Sequence, residues 1–200
     1  MLNHTHTSRA AEGFTMLEVL IAIVITAFGL LGVAGLLSQM QISETESFDR
    51  SQAMTLLWNM NERVYAAMPT TAATANAYTN GGTMVTVGTG NSTYTSPCTG
   101  TYAALDLCEW NFALQGAAET RAGASVGAMT GARGCVELIA APNAAACTPA
   151  TFRVSVVWQG LTDSVEQTTN PNTCGKDQYG TEKRRRIVSE VITIGTPSCT

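Results

Sequence analysis

The stretch Gly13-Phe14-Thr15-Met16-Leu17-Glu18-Val19-Leu20-Ile21-Ala22 opens a run that stays apolar to Leu37 and carries one charge, Glu18, before Glu44. At 1.5 Å rise per residue, about 20 such residues cross a bilayer core of roughly 30 Å, so the run can span a membrane. A helix inside a soluble domain rarely stays apolar on every face for so long. The segment before it, Met1 to Gly13, is short and polar, with Arg9 as its only Lys or Arg, which places it on the cytoplasmic side.

Glu18 is the costly residue of this run. A carboxylate at a helix-centre membrane position costs about 2.5 to 3.5 kcal/mol, and less near the interface, so it calls for a partner. A secretory signal peptide has its small-residue cleavage site after the apolar run. Here the small residue, Gly13, comes before it. A Gly, an aromatic residue next to it and a Glu five positions beyond the Gly closely resemble the prepilin processing motif. The resemblance implies that a prepilin peptidase cuts between Gly13 and Phe14 and methylates the new terminus. The freed amine of Phe14 stays positive after methylation and is the cation that Glu18 of a neighbouring subunit would meet inside an apolar bundle. The alternative is a Glu snorkelling at the membrane edge of a plainly anchored protein with an uncleaved leader.

Beyond Leu37 the pattern becomes amphipathic, with Ile42, Phe48, Met54, Leu57, Val64 and Met68 among Glu44, Glu46, Asp49, Arg50 and Glu62, and no Pro before Pro69. One helix from about Phe14 to Ala67 is expected, near 80 Å long at 1.5 Å per residue. The chain then divides into a leader (1–13), a membrane half of the helix (14–37), an amphipathic half (38–68) and a globular head (69–200). Gly29, Gly32 and Gly35 interrupt the apolar half, and each costs up to about 1 kcal/mol of helix propensity relative to Ala. They mark a place for bending or local melting on assembly, or for close packing of helices in the membrane. Major pilins usually carry a helix-breaking Pro about where Gly35 stands, and this chain departs from them there.

After Pro69 a Thr, Ala, Asn and Gly-rich stretch reads as surface loop to about Gly100, broken by a strand candidate at Met84 to Val87. Leu107, Trp110, Leu114 and Ala117 recur at helical spacing and predict a helix from roughly Ala103 to Thr120, ended by Gly123. Three further strand candidates follow, Cys135 to Ala140, Phe152 to Gln159 and Arg186 to Ile194. Phe152, Val154, Val156 and Trp158 share one face, and Val188, Glu190, Ile192 and Ile194 another. Strands without helices between them favour an antiparallel sheet, and the back half of the long helix is its natural cover. The expected class is α+β, a long N-terminal helix on a small antiparallel sheet.

The bulk numbers agree with an exported head. Two hundred residues suit one domain, and charged residues make up only 13% against about a quarter in a typical soluble domain. A formal net charge of -4 gives no general attraction to nucleic acid or anionic lipid. All six Cys residues, Cys98, Cys108, Cys135, Cys147, Cys174 and Cys199, lie from position 98 onward without the spacing or His neighbours of a zinc site. They read as disulfides, which belong to oxidising compartments. Six thiols allow 15 pairings. Pairing neighbours, Cys98 with Cys108, Cys135 with Cys147 and Cys174 with Cys199, closes the shortest loops.

Catalytic chemistry has little to stand on. The only His residues, His4 and His6, sit in the leader, and Glu109 and Glu119, ten residues apart on one expected helix, do not converge. No metal or cofactor is expected; Asp163, Glu166 and Asp177 lack the spacing of an EF-hand loop. The one basic cluster, Lys183, Arg184, Arg185 and Arg186, reads either as a contact for phosphates or as the solvated start of a strand.

In the head the resemblance narrows to the PilV-type minor pilins. Asp106-Leu107-Cys108-Glu109-Trp110 with Leu114 is similar to that family's helix after the long one, and Val156-Val157-Trp158-Gln159-Gly160 and Arg185-Arg186-Ile187-Val188 are similar to its C-terminal sheet. The loop from Gly123 to Gly134 departs from the compact LPGG-like turn of the family. The resemblance implies the pilin fold and a structural, non-enzymatic role in priming a type IV pilus, in its filament or its tip. It implies as partners the prepilin peptidase, other minor pilins, the major pilin, an inner-membrane assembly platform and membrane lipid before assembly. It also implies a single pass through a bacterial inner membrane with the head in the periplasm, then a place in the pilus on the cell surface, serving motility and adhesion. A type II secretion pseudopilin and an adhesin or DNA-binding pilin module are the alternatives.

Overall fold

The computed structural model describes residues 13–117, 119–125, 127–143, 145–165 and 171–195. Helix α1 (Met16–Ala67) is continuous over 52 residues. Its sequence has no Pro, so nothing removes a backbone donor until Pro69. Met68, held at φ 42° before Pro69, ends it. The chain divides between Glu44 and Thr45 into two compact units.

In the first unit every residue from Gly13 to Gln41 is exposed. The α-helix passes through Gly29, Gly32 and Gly35 without a break, and a Cβ added at any of them would meet nothing within 4 Å. The hydroxyl of Thr26 donates back to the carbonyls of Ala22 and Ile23 at 2.9 Å, which satisfies the run's one interior hydroxyl within the helix itself.

The second unit follows the expected α+β plan, the pilin architecture. Its elements after α1 are α2 (Ala72–Ala77), β1 (Val85–Gly88), α3 (Tyr102–Leu114), β2 (Thr120–Arg121), β3 (Ala124–Ser125), β4 (Arg133–Ala140), β5 (Ala150–Gln159) and β6 (Arg185–Ile194), the last entered through a 3-10 turn at Glu182–Arg184. Four strands form one antiparallel sheet in the order β1-β4-β5-β6, and β2 and β3 form a separate hairpin. Leu57, Met60 and Val64 of α1 and Leu107, Trp110 and Leu114 of α3 bury themselves with Val136, Phe152, Val154, Val156, Ile192 and Ile194. Two helices therefore cover the face that α1 alone was expected to cover. Trp110 joins them: its indole N–H donates to the Leu56 carbonyl at 3.0 Å, and its ring lies over Gly134, where an added Cβ would come within 2.3 Å of it. On the opposite face Cys135, Val157, Cys174 and Tyr179 make a smaller cluster with Ile187 packed on it.

Three expectations need correction. The helix expected to reach Thr120 stops at Leu114, and Thr120 begins β2. Gly116 is the cause: it sits at φ 78°, with the backbone of Gly127 and Ala128 so close that a Cβ would fall 2.3 Å from Ala128 N. Gly123, at φ 81°, turns the β2–β3 hairpin and ends no helix. The stretch after Pro69 contains α2, started by a reciprocal capping box between Thr71 and Thr74.

The neighbour pairing of cysteines holds at one bond only. Cys98 bonds Cys108, but Cys135 bonds Cys174 across 39 residues, not Cys147. From Cys135 the chain runs extended along β4 to Ala140, away from the sulfur, while the 171–184 segment returns over the sheet and brings Cys174 to a Cα separation of 5.9 Å. Because Cys174 is taken by Cys135, the expected Cys174–Cys199 bond also falls, and Cys147 is itself disulfide-bonded. Cys199 lies outside the described residues, as do His4, His6, Arg9 and Glu166.

Candidate functional site

The N-terminal end of α1 is built by Thr15. The amide of Glu18 donates to the Thr15 hydroxyl at 3.3 Å and to its carbonyl at 3.1 Å, and the amide of Val19 donates to that carbonyl at 3.3 Å. Thr15 thus caps the helix, and Glu18 falls in its first turn, where a carboxylate meets the positive end of the helix dipole. Phe14 precedes the cap and is 82% exposed. Around and beyond Glu18 the apolar side chains are exposed, from Leu17, Leu20 and Ile23 to Leu36 and Leu37, and the helix is long and apolar enough to cross a membrane. Nothing among the described residues covers it.

The basic run is solvated in its first half, where Lys183 and Arg184 are exposed, and drawn into the fold in its second, where Arg185 is buried and Arg186 half-buried. Arg184 pairs with Asp163 at 2.9 Å. Arg185 is buried and donates to Glu182 at 2.6 Å and to the carbonyls of Asn172 and Cys174 at 3.1 Å, which fastens the segment that carries the second disulfide. Burial pushes the Glu182 carboxyl up, but the Asp177 amide and Arg185 outweigh it and hold it below its ordinary range. Arg186 reaches α1, where it meets Glu46 at 3.0 Å, and it also holds the Thr162 carbonyl, the Ser164 hydroxyl and the Lys183 carbonyl. Gly160 makes room for that guanidinium: a Cβ there would come within 2.5 Å of it. Three of the four cations thus have their charge met within the head, and Lys183 is exposed.

A second ionic knot joins α1 to α3. Arg63 donates to Asp106 at 3.0 Å and to Glu109 at 2.6 Å, and the Tyr78 hydroxyl donates to the other Asp106 oxygen at 2.6 Å. Burial and that bond to Asp106 push the Tyr78 phenol well above its usual range. Glu109 therefore serves packing between helices. Glu119 lies beyond the end of α3. Among the described residues no three His, Cys, Asp or Glu side chains stand together as metal ligands, and Asp163 is committed to Arg184. Sequence reasoning overlooked the Glu46–Arg186 and Arg63–Asp106 pairs; the one signal for them was an acidic or basic residue at a partly apolar position of an amphipathic helix.

A family model described as the prokaryotic N-terminal methylation motif matches residues 8–34. This is a type IV prepilin-like motif, and it supports a pilin-type protein that is processed by a prepilin peptidase, anchored in a membrane and assembled with other pilins. No curated protein and no solved structure matches the chain.

Proposed function

We propose that the chain is a minor pilin that primes assembly of a type IV pilus and enters the filament or its tip complex. The observation that carries the reading is Glu18: one carboxylate, placed in the first turn of a helix with no apolar cover of its own, five residues beyond Gly13 and within the matched motif. Cleavage after Gly13 gives Phe14 a positive amine, N-methylation keeps the charge, and that amine on an adjacent subunit neutralises Glu18 as the helix leaves lipid for the filament. The chain then sits first in a bacterial inner membrane with its head in the periplasm, and later in the pilus. Its role is structural, with no catalytic step and no cofactor. The head resemblance to PilV-type minor pilins supports the minor-pilin assignment.

Mass spectrometry of the mature chain tests processing: an N-terminal methylated Phe14 is expected, and an intact Met1 would overturn the reading. Deletion then separates the roles. Loss of surface pili and twitching supports priming, whereas loss of protein secretion with pili intact indicates a secretion pseudopilin. Intact pili with poor attachment or DNA uptake would indicate a binding module. Glu18→Gln is expected to leave cleavage in place and to exclude the subunit from filaments.

A further inference from the structure

The sheet has two edges, and the chain treats them differently. At β1 the outward backbone groups belong to Thr86 and Gly88. The Thr86 carbonyl accepts from Asn91 Nδ2 at 2.7 Å, the Gly88 amide donates to Asn111 Oδ1 at 2.8 Å, and the Gly88 carbonyl accepts from Gln115 Nε2 at 3.0 Å. Side-chain amides stand where another strand would bond, which closes that edge.

At β6 the edge is open. The Gly160 amide donates to the Arg184 carbonyl at 2.8 Å, and the β5–β6 register continues unbroken from there. Hydrogen-bonded pairs alternate in an antiparallel ladder, so even-numbered residues from Arg186 to Ile194 face β5, while Ile187, Ser189, Val191 and Thr193 turn their N–H and C=O groups outward. None of these outward groups has a partner among the described residues. From Ile187 to Ile194 there is no Lys, Pro or bulge to discourage pairing. Along this edge runs a groove of about 520 Å³, walled by Arg50, Met54, Leu57 and Trp58 of α1 and floored by residues 187–190. Trp58 is 57% exposed there. Arg50, which has no ion pair among the described residues, stands toward one end, and Glu190, held by Asn61 at 2.7 Å, toward the other.

We propose that β6 is a docking edge to which an extended segment of a different polypeptide adds as a fifth strand. The added strand bonds the odd-numbered backbone groups and lays apolar side chains against Trp58 and Met54. It carries an acidic residue level with Arg50 and a basic one level with Glu190. A second copy of this chain fits badly in either direction. The Glu46–Arg186 and Asn61–Glu190 contacts show that α1 and β6 advance in the same sense. Antiparallel self-pairing would reverse the second copy's α1, which two chains anchored in one membrane do not allow; this step alone rests on the proposed pilin function. Parallel self-pairing turns the second copy over, so that it shows the uncharged side chains of Ile187, Ser189, Val191 and Thr193 to the groove and gives neither Arg50 nor Glu190 an opposite charge.

The test is amide hydrogen exchange on the full chain in detergent micelles. The probe is a synthetic peptide of alternating Val and Thr with an Asp near one end and a Lys near the other. Exchange at Ile187, Ser189, Val191 and Thr193 is expected to slow by about tenfold or more on addition of peptide, with the even-numbered amides unchanged. Ser189→Pro removes an outward N–H and no ladder bond, so it should melt as the parent does and lose the protection; Val191→Pro is the second such variant. Arg50→Glu should weaken binding and recover it with the charge-swapped peptide. No protection at millimolar peptide, or full protection in both proline variants, overturns the proposal. So does protection that grows with protein concentration in the absence of peptide, which would identify the occupant as a second copy. An unprocessed Met1 together with peptide protection would sink the pilin reading and leave the docking edge standing.

Discussion

Arg186 Nη2 lies 3.0 Å from Glu46 Oε1, and this single contact ties the start of the last strand to the long helix 140 residues earlier. The same carboxylate oxygen accepts from the amide and hydroxyl of Thr162, at 3.2 and 3.0 Å, so one acid organises the helix, the loop after β5 and the beginning of β6. Because Arg186 stands at the head of β6, the contact also positions the open edge described above.

Removing that acid should therefore be felt in the head. Glu46→Gln is expected to cost about 1 kcal/mol at neutral pH, the scale of a partly exposed charge-assisted contact. Burial raises the Glu46 carboxyl, but the Thr162 bonds and Arg186 outweigh it and leave it below its ordinary 4.5. A depressed acid stabilises the fold above its unfolded value and loses that contribution as pH falls through its folded value. Thermal melts of parent and variant should differ by a constant amount from neutral pH to about pH 5 and converge below it. A gap that does not narrow as the pH falls into the acid range would refute the assignment.

The two described disulfides should differ in weight. The 39-residue separation of Cys135 and Cys174 predicts about 4 kcal/mol of loop-closure stabilisation, against about 3 kcal/mol for Cys98 and Cys108, separated by 10. Denaturant midpoints of Cys174→Ser and Cys98→Ser chains give the comparison. A larger loss on breaking the shorter loop would show that native contacts around Arg185, and not chain entropy, dominate.

Gly116→Ala and Gly29→Ala should move stability in opposite directions. At Gly116 the methyl group meets the Ala128 backbone at φ 78°, and a loss of about 1 to 3 kcal/mol is expected. At Gly29 the space is open and the backbone helical, so Ala should raise helix content in micelles, by up to about 1 kcal/mol of propensity. Circular dichroism with heating checks both.

Gly134→Ala places a methyl group against the Trp110 ring and Leu114, at 2.3 and 2.7 Å, in the centre of the core. Overpacking of this kind costs about 1 to 3 kcal/mol. Trp110 fluorescence should shift as the indole is displaced from the Leu56 carbonyl. An unchanged spectrum and midpoint would mean that the ring has room to move.

The sequence by itself determined what depends on near neighbours. The apolar helix with its single acid follows from composition over a few turns, and the inward faces of β5 and β6 follow from alternation: Phe152, Val154, Val156, Trp158, Ile192 and Ile194 are all buried as their spacing demands. Only the tertiary structure decided which distant segments meet. The end of α3 depended on the approach of Gly127 and Ala128 to Gly116, the partner of Cys135 on the return of the 171–184 segment, and the fate of the arginine run on acids at Glu46, Asp163 and Glu182. The reason is one of range: helical and strand periodicity is set by residues two to four apart, whereas a buried cation or thiol takes its partner from whatever the completed fold carries to its side.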